Sequence, residues 1–229
     1  MTLITNIVSY WKLDESSGNA TDQVSSNTLT NNNTATYSSG KINNGVNVAR
    51  ASSQWLSITN GTQVGLGITG NLTIAGWIKF SSLPTGLTYC MASKDATGNR
   101  GYSLNIATTT LQFSVNVTTA AVTWSPSTST WYHVAIVYTA AGGTADFYIN
   151  GSQQGTQQSG LPTSIPTNTT TFNLGNDGFA SLFDGSFDEF GVWSRSLSGS
   201  EISSLYNSGT GIQYPFGLGS GGSFLLNFI

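Results

Sequence analysis

The sequence predicts an all-β protein, a two-sheet antiparallel sandwich or jelly roll with one short C-terminal helix. Three observations lead to this fold class. About a dozen short segments carry alternating or dense apolar residues, as strands do. Turns rich in Gly, Ser, Thr and Asn separate these segments at short intervals. Only one segment, near the C-terminus, has its apolar residues at helical spacing.

The composition supports a folded domain and excludes several classes of function. The chain has 229 residues, of which 38% are hydrophobic, so it can bury a sizeable core. Only 7% are charged, against roughly 25% in an ordinary soluble domain. The net charge is −3 and the basic residues are scattered, which argues against nucleic acid as a partner. No run approaches the ~18 apolar residues of a transmembrane helix, so we expect no membrane insertion. The single cysteine, Cys90, excludes an internal disulfide and is expected to be a buried thiol.

Six strands are predicted in the first half of the chain from apolar patterns and turn residues. They cover residues 4–13, 27–31, 46–48, 55–59, 71–80 and 87–93. The segment 71–80 gives the strongest signal, because apolar residues occupy both of its faces. This pattern is typical of a central strand that is covered on both sides.

Seven further strands are predicted in the second half by the same criteria. They cover residues 101–107, 111–117, 131–139, 146–149, 152–155, 170–175 and 186–193. The dipeptide Asn150-Gly151 supplies the positive φ angles of a type I′ turn, so it predicts a hairpin between its two flanking strands.

The segment from the last strand to the helix carries an acidic pair. Simple alternation along residues 186–193 places Asp188 and Glu189 on opposite faces of the strand. The helix that follows begins with a capping-box pattern at Ser198 and Glu201, and Gly209 is expected to close it.

Several segments together resemble one family. They are Tyr10 to Glu15, Gly40 to Val46, Leu72 to Lys79, Trp131 to Ala135, Asp146 to Gly151 and Phe187 to Phe190, in this order. With them the chain resembles the laminin G-like jelly-roll domains, of bacterial and phage type, in the concanavalin A-like lectin/glucanase superfamily. The resemblance implies two curved antiparallel sheets with the first and last strands adjacent. It also implies a binding module, often for glycans, which in some members carries structural calcium.

Calcium is therefore a prediction that follows mainly from the resemblance. The oxygen ligands would come from Asp188, Asp14 and backbone carbonyls, which adjacent first and last strands would bring together. Many relatives have an acidic Phe-Asp-Gly-type segment where this chain has residues 46–50, which carry no carboxylate. The alternative is that Asp188 and Glu189 form local hydrogen bonds or pair with Arg195.

Catalysis is the least expected function. On a straight strand at ~3.3 Å per residue, Asp184 and Asp188 lie about 13 Å apart. Retaining glycosidases need about 5–5.5 Å between their carboxyl groups and inverting ones about 6.5–9.5 Å. The only histidine, His133, lies in an apolar strand, and the chain has no Gly-x-Ser-x-Gly elbow. One His and one Cys also make a zinc site implausible.

A glycan site needs an exposed aromatic ring beside amide or hydroxyl groups. Trp124, before Ser125-Pro126 at a predicted strand end, is the first choice for the ring. The other candidates are Tyr102, Trp55 and Phe179 for stacking, with Asn99, Asn176 and Asp177 as polar partners in neighbouring loops. For each aromatic residue, the alternative is a place in the core between the sheets.

The C-terminus differs from the rest of the chain. Residues 1–216 are predicted to form the jelly-roll domain, and residues 217–229 a Gly/Ser linker with an apolar tail. The apolar tail consists of Phe224, Leu225, Leu226, Phe228 and Ile229. It is predicted to dock onto another protein subunit of an assembly, with a last core strand of the same domain as the alternative.

These observations predict a non-catalytic, surface-displayed binding or decoration module with a possible glycan-binding role. No secretory signal is expected at the N-terminus, because no basic region precedes a long apolar run there. A virion-associated protein of phage type, located at the virion surface, is therefore the first hypothesis. A bacterial lectin or adhesin, secreted or at the cell surface, is the alternative.

Overall fold

Two antiparallel sheets of eight and seven strands make up the computed structural model, which describes residues 2–179 and 181–217. The fold class predicted from the sequence is confirmed. The strands are β1 (Ile7–Trp11), β2 (Thr30–Asn32), β3 (Thr36–Ser39), β4 (Asn44–Val48), β5 (Trp55–Ile58), β6 (Leu72–Phe80), β7 (Thr88–Lys94), β8 (Tyr102–Ala107), β9 (Thr110–Val115), β10 (Thr118–Thr123), β11 (Trp131–Thr139), β12 (Thr144–Ile149), β13 (Ser152–Gln153), β14 (Phe172–Leu174) and β15 (Gly185–Trp193). In the described ranges the chain forms one α-helix, α1 (Gly199–Tyr206).

The eight-stranded sheet has the order β13-β12-β11-β6-β15-β4-β3, and β1 also pairs with β15. The seven-stranded sheet has the order β10-β9-β8-β7-β14-β5-β2. As the apolar pattern predicts, β6 is central and pairs with both β11 and β15. The first strand and the last lie side by side, as the resemblance implies. Large apolar side chains from both sheets, such as Phe113, Phe147 and Phe187, fill the core between them.

A second apolar cluster covers the other face of the eight-stranded sheet. Ile202 and Leu205 of α1 pack there with Tyr10 and Trp193. The capping box is confirmed, with the Ser198 side chain accepting a bond from the Glu201 backbone. The helix ends earlier than Gly209, at a C-cap with left-handed backbone angles two residues before it. The hairpin turn is confirmed too, with positive φ at both turn residues between β12 and β13.

A β-bulge in β15 overturns the simple alternation predicted for that strand. The register against β6 shifts between Asp188 and Gly191, and Glu189 adopts a φ of 48°. Because of the extra residue, Phe187 and Phe190 both enter the core. The prediction that Asp188 and Glu189 lie on opposite faces was therefore wrong.

Two strands, β3 and β10, were not predicted because their sequences are too polar or too weakly apolar for a clear pattern. The apolar tail and most of the linker lie outside the described residues. The described α-helix is too short to cross a membrane.

Candidate functional site

The outer face of the seven-stranded sheet carries a continuous line of small polar side chains. Each strand contributes one hydroxyl or amide, and the seven residues are neighbours in register. We call this line the polar row; its members are Thr30, Ser57, Asn173, Ser93, Ser103, Ser114 and Thr119. The row follows from strand alternation, because in the central strands the residues on either side of a member point into the core. Leu104 and Phe113, for example, are fully or almost fully buried there.

Two loops meet over the middle of this face and form a ridge. One is the β7–β8 loop and the other the β14–β15 loop; we use "the ridge" for residues 95–100 and 176–179. The Ser93 hydroxyl donates to the Asn176 carbonyl at 2.8 Å, so the ridge covers the row at β7. The Arg100 guanidinium pairs with Asp95 at 2.9 Å and stacks over the Phe179 ring at 4.4 Å. These contacts tie the two loops to each other and to the sheet.

The first cleft lies on the β5 and β14 side of the ridge and has a volume of about 620 Å³. Its lining combines one aromatic residue, Trp55, with hydroxyl and amide groups and the Asp95 carboxylate. The hydroxyl and amide residues of the lining are Ser57, Thr59, Thr97, Asn99, Thr169, Thr170, Thr171, Asn173 and Asn176. Asn99 donates to the Thr169 hydroxyl at 2.9 Å, which joins the ridge to the opposite wall.

A buried lysine holds residues 169–171, which form the wall of the first cleft opposite the ridge. Lys94 is fully buried, and its ammonium donates to the Thr170 carbonyl at 2.7 Å and to Asn60 Oδ1 at 3.0 Å. Both acceptors are neutral, and burial lowers the pKa of Lys94 to about 8. Lys94 therefore positions the wall of the first cleft without facing a ligand.

The second cleft lies on the β8, β9 and β10 side and has a volume of about 340 Å³. Ser103, Ser114 and Thr119 of the polar row line it, with Gln112 and Asn105 from the neighbouring positions. Asn105 is only 7% exposed, and its Oδ1 has no donor among the described residues.

The charges around the two clefts are few and already engaged. Burial raises the pKa of Asp95, and its bond to Arg100 opposes that rise. The Asp177 carboxylate accepts bonds from the backbone of Phe179 at 2.7 Å and of Ser181 at 3.1 Å. Counting Asp95 and Asp177 against Arg100, two negative charges and one positive charge leave a net charge of −1 at the ridge.

Five of the seven residues predicted for a ligand site come together on this face. Trp55, Asn99 and Asn176 line the first cleft. Asp177 and Phe179 line the second. Residues far apart in the chain meet here because β5, β7 and β14 are neighbours in the sheet.

The two remaining aromatic candidates are core residues, which corrects the sequence prediction. Trp124 is 7% exposed, and its ring packs against Phe80 and Tyr132 at centroid distances of 5.8 and 5.3 Å. Tyr102 is 1% exposed. Neither ring has a free face for a sugar, because the residues around each ring already cover it.

Sequence reasoning missed the residues that the sheet itself contributes. They are Ser57, Asn173, Ser103, Asn105, Gln112, Ser114 and Thr119. A usable signal was present in β8 and β9, where polar residues alternate with buried Leu104, Ile106, Leu111 and Phe113. The polar positions of two adjacent strands define an outer face, but the sequence does not say which strands are adjacent.

A cluster of carboxylates on the eight-stranded sheet is the place to test for calcium. Asp188 Oδ2 accepts bonds from the backbone N–H groups of Lys41 at 2.7 Å and Ile42 at 2.8 Å. Glu189 accepts from the Tyr10 hydroxyl at 2.7 Å and from the Gln213 amide. These bonds join β15 to β1, to the β3–β4 turn and to the segment after the helix.

The third carboxylate of this cluster is engaged in the same way. Asp14 accepts bonds from Asn43, from the Asn44 backbone and from Gln213. Of the six oxygens of Asp14, Asp188 and Glu189, only Asp188 Oδ1 lacks a donor among the described residues. Ca²⁺ takes six to eight oxygen ligands, so this donor set does not fit the ion. The alternative pairing of the acidic residues with Arg195 was wrong, because Arg195 pairs with Glu201 at 2.6 Å.

The chain matches one family and many solved structures. A family model described as concanavalin A-like lectin/glucanases superfamily, of laminin G type, matches residues 50–203. The binding domain of Paraclostridial Mosquitocidal Protein 1 is similar, with a TM-score of 0.70 and 17% identity over 89% of this chain and 52% of that one. A second similar structure is Domain 4 of AbnA, a GH43 extracellular arabinanase from Geobacillus stearothermophilus, in complex with arabinotriose. Its TM-score is 0.65 and its identity 18%, over 86% of this chain and 97% of that one.

A third similar structure is the binding domain of Botulinum neurotoxin DC in complex with rat synaptotagmin II. Its TM-score is 0.69 and its identity 15%, over 89% of this chain and 52% of that one. This chain thus spans about half the length of the toxin binding domains that it resembles. A search of curated protein sequences gives no match.

Proposed function

Because this chain belongs to the concanavalin A-like lectin/glucanases superfamily, we propose that it is a non-catalytic carbohydrate-binding module. The observation that carries the proposal is the first cleft, where Trp55 lies among hydroxyl and amide side chains. A sugar ring has an apolar face and a rim of hydroxyl groups. An indole can cover the face while Asn and Ser side chains bond the rim.

The arrangement of carboxylates supports binding rather than hydrolysis. Asp95 is held by Arg100 and by the Gly101 backbone. Asp177 is held by two backbone N–H groups of its own loop. A glycosidase needs one carboxyl group free to donate a proton and a second free to attack or to activate water. Release of reducing ends from a bound oligosaccharide would contradict the non-catalytic part of the proposal.

Two of the similar structures are complexes with small ligands. The arabinanase domain is in complex with arabinotriose, and a Botulinum neurotoxin DC binding domain is in complex with SialylT. Their identities to this chain are 18% and 15%, so they establish a shared fold. They support the proposal only in that this fold can present a sugar-binding surface.

The proposal is tested by a glycan array followed by Trp55→Ala. Removing contact with roughly 60–80 Å² of ring surface at ~25 cal/mol/Å² costs about 1.5–2 kcal/mol, a 10- to 30-fold rise in Kd. Trp131→Ala is the matched control, because Trp131 is partly exposed on the eight-stranded sheet, outside both clefts. Unchanged binding in Trp55→Ala, or no glycan bound by the wild type, would refute the proposal.

We also propose that the module is displayed on a surface, in the first place that of a virion. The 7% charged fraction supports this, since surfaces rich in uncharged polar groups are common on displayed proteins. Mass spectrometry of purified particles against a culture secretome distinguishes this location from a secreted or cell-surface lectin.

Docking of the apolar tail onto another subunit stays a prediction. Deletion of residues 217–229 is expected to abolish assembly and to leave the thermal unfolding of the domain unchanged. A deletion product that does not fold would show that the tail belongs to the core.

A further inference from the structure

We infer that the ligand of this face is a linear, uncharged glycan chain that lies across the strands and occupies both clefts. This inference rests on the proposed function and specifies its ligand. The polar row gives the direction, because it runs perpendicular to the strands through both clefts. From β5 to β10 it crosses five strand spacings of ~4.8 Å, about 24 Å, which is the length of about five sugar units.

The ridge between the clefts offers a surface on which such a chain can cross. Asp95 lines both clefts, so the two clefts adjoin at the ridge. The Arg100 side chain is 37% exposed, and its guanidinium lies 4.4 Å from the centroid of the Phe179 ring. A planar guanidinium backed by an aromatic ring provides a second group on which a sugar ring can stack, between Trp55 at one end and the hydroxyls of β9 and β10 at the other.

The ends of the polar row favour binding of an internal stretch of a long glycan over binding of a glycan terminus. The row reaches the edge strands on both sides, and its last members, Thr30 and Thr119, are exposed. Among the described residues, no strand lies beyond them within the sheet. A glycan terminus is usually recognised by a closed pocket, whereas the polar row is exposed at both of its ends.

The charges select against anionic sugars. Apart from the ridge residues Asp95, Asp177 and Arg100, the side chains that line the clefts are uncharged. The positive charge of Arg100 is neutralised by its ion pair with Asp95. The net charge of −1 at the ridge therefore repels uronic and sialic acids weakly and leaves neutral sugars unaffected.

The test uses isothermal titration with neutral linear oligosaccharides of two to six units, built from arabinose, xylose or glucose. We expect affinity to rise at least about tenfold from two units to five and then to level off, as contacts in the second cleft are added. Thr119→Arg should remove this gain and leave the two-unit ligand unchanged. Thr123→Arg is the matched control, because Thr123 is exposed on the same strand but lies outside the second cleft.

Each outcome separates this inference from the proposed function. Binding that depends on Trp55 but not on chain length or Thr119 would overturn the inference and leave the proposed function intact. Tighter binding of sialylated or uronic oligosaccharides than of neutral ones would also overturn it. If the wild type binds no oligosaccharide in the titrations and no glycan on the array, the proposed function itself is refuted.

Discussion

The buried carboxylate of Asp188 is predicted to make the protein less stable as the pH rises, and Asp188→Asn should remove this effect. Asp188 is fully buried, and burial raises the pKa of its carboxyl group to about 8, with a further contribution from Glu189. An acid whose pKa is higher in the folded state favours folding while it is protonated. Its contribution is therefore greatest below the unfolded pKa, near 4, and declines until the pH passes the folded value.

The structure sets the size of the effect. Between about pH 5 and pH 8 the folded state retains a proton that the unfolded state has lost, so three pH units at 1.36 kcal/mol give at most about 4 kcal/mol. Repulsion from Glu189 is relieved by an amide, and the Asn carbonyl can still accept from the backbone of Lys41 and Ile42. We expect the free energy of unfolding of Asp188→Asn, relative to that of the wild type, to be about 2–4 kcal/mol higher at pH 9 than at pH 5.

Urea unfolding followed by tryptophan fluorescence at pH 5, 7 and 9 measures this difference directly. Asp146→Asn is the control, since Asp146 lies at the surface and bonds Gln153 and Gln157. Its pH profile should run parallel to that of the wild type. Parallel profiles for Asp188→Asn and the wild type would show that the buried carboxyl group does not titrate as the structure implies.

Three other predictions concern stability. Excess EGTA is expected to leave the thermal midpoint unchanged, because the carboxylates are already bonded by protein donors; a large drop would restore the calcium hypothesis. Because the pKa of Lys94 is lowered in the folded state, its positive charge opposes folding. The free energy of unfolding of the wild type should therefore rise between about pH 8 and 10.5, and that of Lys94→Met should not. The same pH dependence for both proteins in urea unfolding would contradict this. Gly76→Ala should destabilise by about 1–3 kcal/mol, because a Cβ would overlap the Phe190 ring. Gly67→Ala, which meets nothing within 4 Å, is its control, and equal midpoints in calorimetry would refute the packing argument.

Apolar alternation and turn residues predicted most of the strands, because both patterns depend only on neighbouring residues in the sequence. The central position of β6 and the hairpin at Asn150 both follow from local sequence. The bulge in β15 did not, because an extra residue depends on how Glu189 meets Tyr10 and Gln213 from distant parts of the chain. A one-residue shift changes the face of every following side chain, and no local pattern shows it.

The candidate site was partly predictable for the same reason. Loop residues such as Asn99 and Asn176 are of a type that suits a sugar, wherever the loops lie. Trp124 looked equally suitable, but the chain after β10 places its ring in the core. The clefts themselves arise from the order of strands in the sheet, which sequence separation does not reveal.

The most direct test of the proposed site is a crystal structure with the oligosaccharide that binds best in the titrations. We predict a sugar ring stacked on Trp55, with hydroxyl groups bonded to Asn173 or Asn176 and the chain continuing over the ridge toward Thr119. A ligand found elsewhere would contradict the account, for example in the separate cleft of about 410 Å³ beside Tyr37.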